Sequence, residues 1–259
     1  MIFVGEGPRA LPLKGRRRGR PLHANFGCNS FRFPYNFLMP KTISVKAVIF
    51  DMDGVITNTM PDHYKAWHKV MLDEGISVTH HDIYSREGQR GYWSVFELFE
   101  KYGRKTTTHH AKELLLKKEK LFKKIVKQRF IVGSRKLLKD LARDGFELAL
   151  VTGTAHHEAK KILPKSLYSL FSVIITGDMC HHGKPHPEPY LKAIKALKIK
   201  KTQGIVIENA PFGIQSAKDA GLKCIALETS LPRKYLKKAD YIFHTVKELR
   251  EKINLANSH

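Results

Sequence analysis

Val48-Ile49-Phe50-Asp51-Met52-Asp53-Gly54-Val55 is the stretch on which the reading of this chain turns. A short, β-branched apolar run from Val45 to Phe50, bounded by turn residues, reads as a buried strand. Two carboxylates follow, Asp51 and Asp53, and then a glycine. Acids at the end of a buried strand are held rigidly and close together. That arrangement serves chemistry only if complementary groups stand at the ends of other strands of the same sheet.

Downstream, the pattern supplies them. Residues 74–133 contain no convincing strand and several helical pieces. They follow a helix expected over about Met60–Asp73, on which Met60, His63, Tyr64, Trp67 and Met71 recur at three- and four-residue steps. The clearest piece is Ala111–Val126. Leu114, Leu115, Leu121, Phe122, Ile125 and Val126 are assigned to one face, and Lys117, Lys118, Lys120, Lys123, Lys124 and Lys127 to a basic exterior. After Gly133 helices and strands alternate. A helix runs from Ser134 through Arg143, a strand over Phe146–Val151, a helix over about His157–Leu163 and a strand over Ser172–Ile175. Pro187 and Pro211 open further helices, Gly204–Ile207, Lys223–Leu227 and Tyr241–Phe243 are strands, and Val246–Ile253 is a last helix. Such alternation implies an α/β fold with a parallel sheet covered on both faces. Ligands of such sheets bind beyond the carboxyl ends of the strands.

At those ends stand Asp51 and Asp53, then Thr152, then Lys184, then Glu208 with Asn209. Oxygen ligands suit a hard divalent cation, magnesium above all, which takes one or two carboxylates and a substrate phosphate. Lys184 and such a cation neutralise phosphate charge. Thr152 and nearby N–H groups hydrogen-bond phosphate oxygens, and a carboxylate attacks phosphorus. Singly, each motif is as readily a turn, a helix cap or a loop lysine. Their order along successive strands carries the case.

Composition bounds the alternatives. With 259 residues and 42% hydrophobic content, one large domain, or a core with a smaller one, is accommodated. No apolar run is long enough to span a bilayer. Three scattered cysteines make a disulfide framework a poor reading and a reducing, cytoplasmic compartment the expected one. Cys180-His181-His182 lacks CxxC or HExxH spacing, so surface residues at a strand end are preferred to zinc. The net charge of +22 divides as +6 in residues 1–40 and +16 in the remainder. It is read as a solvated basic surface that steers a phosphate ligand, because basic residues are not interleaved with aromatics on one element as nucleic acid requires. Residues 1–40 are Gly-, Pro- and Arg-rich and are expected to be a disordered basic extension. A translation start at Met39 is the preferred account of them, and a targeting segment the other.

Four motifs together resemble those of the haloacid dehalogenase superfamily. They are Phe50-Asp51-Met52-Asp53-Gly54-Val55, Val151-Thr152-Gly153, Gly183-Lys184-Pro185-His186-Pro187-Glu188-Pro189 and Ile207-Glu208-Asn209-Ala210-Pro211-Phe212-Gly213. The resemblance is to the branch with phosphoglycolate phosphatase-like and β-phosphoglucomutase-like enzymes, over about Lys46 to Phe243. It implies a Rossmann-like core (41–58 and 134–259) with an inserted all-helical cap (59–133), whose hinges are Gly54–Thr59 and Ile131–Gly133. It further implies a magnesium-dependent phosphatase acting on a small phosphorylated metabolite through an aspartyl-phosphate, as a monomer or weak homodimer. By the same resemblance Asp51 is the nucleophile and Asp53 the general acid/base. Thr152, Gly153 and Lys184 hold the phosphoryl group, and Asp51, Asp53, Glu208 and Asn209 place the magnesium. His63 and Arg90 in the cap approach substrate. Asn209 stands where the family often has aspartate. A sugar-phosphate mutase and a catalytically weak anion- or RNA-binding protein are the alternatives.

Overall fold

The computed structural model describes residues 41–89 and 91–258. The extension expected over residues 1–40, and Arg90, lie outside the described residues.

The elements are β1 (Lys41–Val45), β2 (Ala47–Phe50), α1 (Met60–Asp73), α2 (His80–Tyr84), α3 (Gly91–Lys101), α4 (Thr108–Ile125), α5 (Ser134–Arg143), β3 (Glu147–Val151), α6 (His156–Ile162), α7 (Lys165–Tyr168), β4 (Val173–Ile175), α8 (Glu188–Leu197), β5 (Gly204–Glu208), α9 (Pro211–Asp219), β6 (Lys223–Leu227), β7 (Tyr241–Phe243), α10 (Val246–Lys252) and β8 (Ile253–Asn257). Six strands form one parallel sheet in the order β4-β3-β2-β5-β6-β7. The expected α/β class, a parallel sheet with helices on both faces, is what the chain adopts. Alternate residues of a strand face opposite sides. Val48, Phe50, Leu148, Leu150, Ile205 and Ile207 accordingly enter one hydrophobic cluster, and Ile49, Ala149, Val151 and Val206 the other. Both faces are dry, which is why these strands read as continuous apolar runs.

Two details differ from expectation. The first strand is two strands, broken at Lys46, and the chain after α10 turns into β8. β1 and β8 pair in parallel as a separate two-stranded sheet. β1 exposes alternate residues, a half-buried pattern distinct from the fully buried β2.

Strand order reverses at β2, with β3 on one side and β5 on the other. The crevice beyond its carboxyl end is where ligands of such sheets bind. Between β2 and α5 the chain makes α1 to α4, which have a core of their own including Trp67, Met71, Ile83, Val95, Leu98, Phe99 and Leu114. The outgoing and returning connections are tied to each other. Asn58 N donates to Arg129 O (2.9 Å), Ile131 N to Ile56 O (3.0 Å) and Arg129 Nη2 to Asp62 Oδ2 (2.6 Å).

The basic exterior assigned to α4 needs one correction. Lys118 is buried, on the stripe Ala111, Leu114, Lys118 and Phe122 that α4 turns inward. The i, i+3, i+4 spacing that buries its neighbours buries it too. Its ammonium lies 5.5 Å from the centre of the Trp67 ring and 4.8 Å from that of Phe122.

Candidate active site

The carboxyl ends of β2, β3 and β5 bring together Asp51, Asp53, Thr152, Glu208 and Asn209, all buried, and the loop before α8 adds Lys184. Lys184 Nζ is the centre of the group. It donates to Asp51 Oδ1 (2.6 Å), Glu208 Oε1 (2.6 Å) and Val151 O (3.2 Å). Those contacts outweigh burial and raise its pKa, so the side chain is a permanent cation.

Glu208 is saturated. Its Oε1 also accepts from Tyr190 Oη (2.9 Å), and Oε2 accepts from the backbone of Asn209 (2.8 Å) and Ala210 (3.2 Å). Two other oxygens are not. Asp51 Oδ2 and Asn209 Oδ1 are buried acceptors without a hydrogen-bond partner among the described residues. Asn209 is oriented by Nδ2, which donates to Ser230 Oγ (2.8 Å) and so leaves the carbonyl oxygen free. Orphaned buried acceptors cost free energy unless something satisfies them. Two carboxylates, Asp51 and Glu208, share one lysine, leaving that group short of positive charge, and a third, Asp53, is buried two residues from Asp51. Burial and the neighbouring acids raise the pKa of Asp51 despite Lys184. Two free oxygens beside carboxylates that one lysine does not balance fit a hard divalent cation.

Asp53 has a different surrounding. Its Oδ2 accepts from Thr154 Oγ1 (3.0 Å) and stands 3.4 Å from Thr152 Oγ1, and its Oδ1 accepts from Thr59 Oγ1. Burial alone would raise its pKa, but these donors and His63 hold it down to about 2. Thr59 occupies the N-cap position of α1 and makes no cap bond there. A threonine cap is worth about 1 kcal/mol, which α1 forgoes because the hydroxyl serves Asp53.

His63 and Lys118 approach Asp53 from α1 and α4. Lys118 Nζ donates to His63 Nδ1 (3.0 Å), so the ring proton sits on Nε2, 3.5 Å from Asp53 Oδ1. Burial and the Lys118 charge lower the His63 pKa and keep the ring neutral. The loop after α2 closes the arrangement. A Cβ on Gly88 would stand 2.3 Å from Lys184 Cδ, and one on Gly153 would stand 2.8 Å from Gly88 Cα. Gly88 has φ +78°, so only glycine allows this approach without strain. A cavity of about 260 Å³ remains, lined by His63, Glu87, Lys118, Thr152, Gly153 and Lys184 among others.

Of the residues named from sequence, the structure therefore gathers Asp51, Asp53, His63, Thr152, Gly153, Lys184, Glu208 and Asn209 at one site. Thr154, Lys118, Tyr190 and Ser230 were missed. Lys118 alone had a detectable signal, its position at the centre of an apolar stripe. The Cys180-His181-His182 run takes another form: ligand atoms of His182, His186 and Glu188 lie within 4.8 Å of one another. Those donors are already used. Glu188 accepts from His181 N (2.8 Å), His182 N (2.8 Å), His182 Nδ1 (3.1 Å) and Lys192 Nζ (2.8 Å), and His186 Nδ1 accepts from Glu188 N (3.2 Å).

The family model described as haloacid dehalogenase-like hydrolase matches residues 48–227. The chain belongs to this family. A phosphorylated carbohydrates phosphatase of Thermotoga maritima is 30% identical over 185 residues, covering 70% of this chain and 84% of the relative. A fructose-1-phosphate phosphatase of Escherichia coli is 29% identical over 69% of this chain and 94% of its own. Among solved structures, a β-phosphoglucomutase of Clostridium difficile superposes with a TM-score of 0.69 at 25% identity, covering 80% of this chain and 96% of that one. Like its phosphatase relatives, this haloacid dehalogenase-like chain is an enzyme. Among the described residues no helix is long and apolar enough to cross a membrane.

Proposed function

We propose that the protein is a magnesium-dependent phosphatase that hydrolyses a small phosphate monoester, a sugar phosphate or similar ester, through a phospho-enzyme on Asp51. The observation that carries it is the pairing of a free Asp51 Oδ2 with a Lys184-centred cluster short of positive charge. The cavity lies below the lower end of the range usual for drug-sized ligands, which suits a small ester.

Magnesium would be held by Asp51, Asn209 Oδ1 and the carbonyl of Asp53. Bound there, it supplies charge neutralisation to the phosphoryl oxygens and holds Asp51 ionised. Glu208 acts behind it, fixing Lys184 and Tyr190. Lys184, Thr152 and the backbone of Gly153 orient the phosphoryl group, and Asp51 attacks phosphorus. Asp53 gives a proton to the departing alkoxide, then takes one from the attacking water. The Thr59, Thr154 and His63 contacts favour the ionised carboxylate, so Asp53 takes up from solvent the proton it gives as those contacts loosen. The helical segment 59–133 is the cap: it brings His63 and Lys118 to Asp53 and Gly88 to Lys184, and so excludes water from the site.

A panel of phosphomonoesters, assayed with magnesium and with a chelator on wild type and Asp51→Asn, tests the reading. Expected is phosphate release abolished by either treatment. Release that persists in Asp51→Asn overturns the nucleophile assignment. Interconversion of sugar phosphates without net phosphate release would instead establish the mutase.

A further inference from the structure

The loop between β6 and β7 lies outside the four sequence motifs, yet two of its consecutive side chains reach the site. Ser230 Oγ accepts from Asn209 Nδ2 (2.8 Å), and Thr229 Oγ1 donates to Gly54 O (2.5 Å). The partners are 21 and 175 residues away in sequence. The loop is anchored in turn. Glu228 N donates to Phe243 O on β7 (2.9 Å), Arg233 N donates to Glu228 Oε1 (2.7 Å), and Leu231 is buried in one of the two hydrophobic clusters that cover the sheet.

These two contacts bear on the two uncharged ligands of the proposed cation site, the carbonyl of Asp53 and Asn209 Oδ1. A carboxylate can offer either oxygen to an ion. An amide can offer only one, and its N–H end repels the ion. Asn209 is buried, so with Oδ1 turned to the ion its Nδ2 needs an acceptor, and Ser230 Oγ is that acceptor. The carbonyl of Asp53 shares a planar peptide with Gly54 N. Gly54 N donates to Thr57 O (2.7 Å), and Thr229 holds the next peptide through Gly54 O. Gly54 has φ +93°, where a side chain would be strained. A Cβ placed there would also stand 2.1 Å from Asn209 Nδ2 and 2.7 Å from Ser230 Oγ. The Asp53-Gly54 turn, the Asn209 amide and the loop therefore meet at this glycine.

We propose that Thr229 and Ser230 are positioning residues for the cation, a brace that sets the Asp53 carbonyl and the Asn209 amide before the ion binds. This rests on the magnesium reading and deepens it. Ser230 acts through Asn209, by selecting which end of the amide faces the ion. Thr229 acts through Gly54, by fixing the backbone that follows the Asp53 carbonyl. An aspartate at position 209 makes the first role dispensable, since its two oxygens are equivalent as ligands. Every contact of the brace is made within the core, so it does not depend on where the helical segment stands.

Calorimetric titration of the full chain with magnesium, without substrate, tests the brace. Ser230→Ala should bind magnesium about fivefold or more weakly, because the amide orientation that offers its oxygen becomes only a fraction of the population. Ser230→Thr, which keeps the hydroxyl, should restore most of the affinity. In the Asn209→Asp background the same Ser230→Ala change should alter affinity by less than about twofold, a non-additivity that marks the two residues as coupled. Thr229→Val should also weaken binding, and Thr229→Ser should recover it. Melting temperatures with and without magnesium separate positioning from packing. A packing role lowers the melt of the ion-free variants but leaves the rise on adding magnesium as in wild type. That outcome, or equal magnesium affinity in wild type, Ser230→Ala and Thr229→Val, overturns the brace and leaves the cation reading standing. An equal loss from Ser230→Ala in both the Asn209 and the Asn209→Asp backgrounds overturns the selection of the amide end. Wild type that binds no magnesium overturns the cation reading, and the brace with it.

Discussion

Asn209→Asp is the perturbation that best separates the proposed cation site from a merely structural cluster. Asn209 Oδ1 is buried and unpartnered, and Nδ2 donates to Ser230 Oγ. An aspartate can keep that bond if the Ser230 hydroxyl reverses and donates, so the substitution adds a charge with little change of shape. Two unit charges about 4 Å apart interact by about 4 kcal/mol at an effective dielectric of about 20. Toward a divalent ion the term is larger, but the new carboxylate must be desolvated and repels Asp51 and Glu208. A remainder of about 1.4 kcal/mol gives magnesium binding about tenfold tighter. Without the ion the same repulsion acts alone. It is partly relieved because Asp51, its pKa already raised, takes up a proton, and a loss of about 1–2 kcal/mol lowers the melting temperature by about 2–8 °C. Magnesium titrations by calorimetry and melts with and without magnesium read both effects. The metal-free variant should melt lower than wild type, and its rise on adding magnesium should be larger. Asn209→Ala should bind magnesium more weakly than wild type. Magnesium affinity unchanged in both variants would show that Asn209 Oδ1 is not a ligand, whatever happens to turnover.

Two further perturbations probe the Asp53 side. Lys118→Met removes both the donor that fixes the His63 tautomer and the charge that depresses the ring's pKa. The acid limb of the pH–rate profile should therefore move to higher pH, and kcat should fall by about 10- to 100-fold. A fall in kcat with an unmoved profile would assign Lys118 to packing alone. Because the His63 pKa is lowered on folding, the unfolded chain binds the extra proton, and this residue's contribution to stability falls as pH drops through about 6.5. Melting temperature should decline from pH 8 toward 5.5 and do so less steeply in His63→Gln; parallel slopes would refute the assignment.

The sheet and the residues at its strand ends were readable because each signal is local. An apolar run is followed by its polar group within two residues, as in Phe50-Asp51 or Ile207-Glu208. What was not readable depends on contacts between distant segments. β1 and β8 define each other across the length of the described chain, and neither pattern is distinctive alone. Glu208 could be placed at the site from sequence, but that both its oxygens are occupied follows only from Tyr190, Lys184 and the turn into α9. Its charge places Lys118 on the surface, against its position in the stripe. A buried lysine needs a partner to justify it, and that partner, His63, is 55 residues away.

The residues that depart from local rules converge on one place. Thr59 leaves α1 uncapped to bond Asp53, Lys118 takes an apolar position to reach His63, and Gly88 adopts a left-handed conformation against Lys184. Local rules are broken mainly where function compensates. Thr59 and Gly88 tie the helical segment to the core directly and Lys118 does so through His63, each toward a different partner. Lys184 belongs to the Asp51 side, where the positive-charge deficit lies, and Thr59, His63 and Lys118 belong to the Asp53 side. Moving the helical segment away would withdraw His63 from Asp53 and Gly88 from Lys184 while leaving the Lys184 contacts to Asp51 and Glu208 intact, since these are made within the core. On the proposed mechanism, cation binding and nucleophile alignment are then properties of the core alone, and the readiness of Asp53 to take up a proton is set by the helical segment through Thr59 and His63.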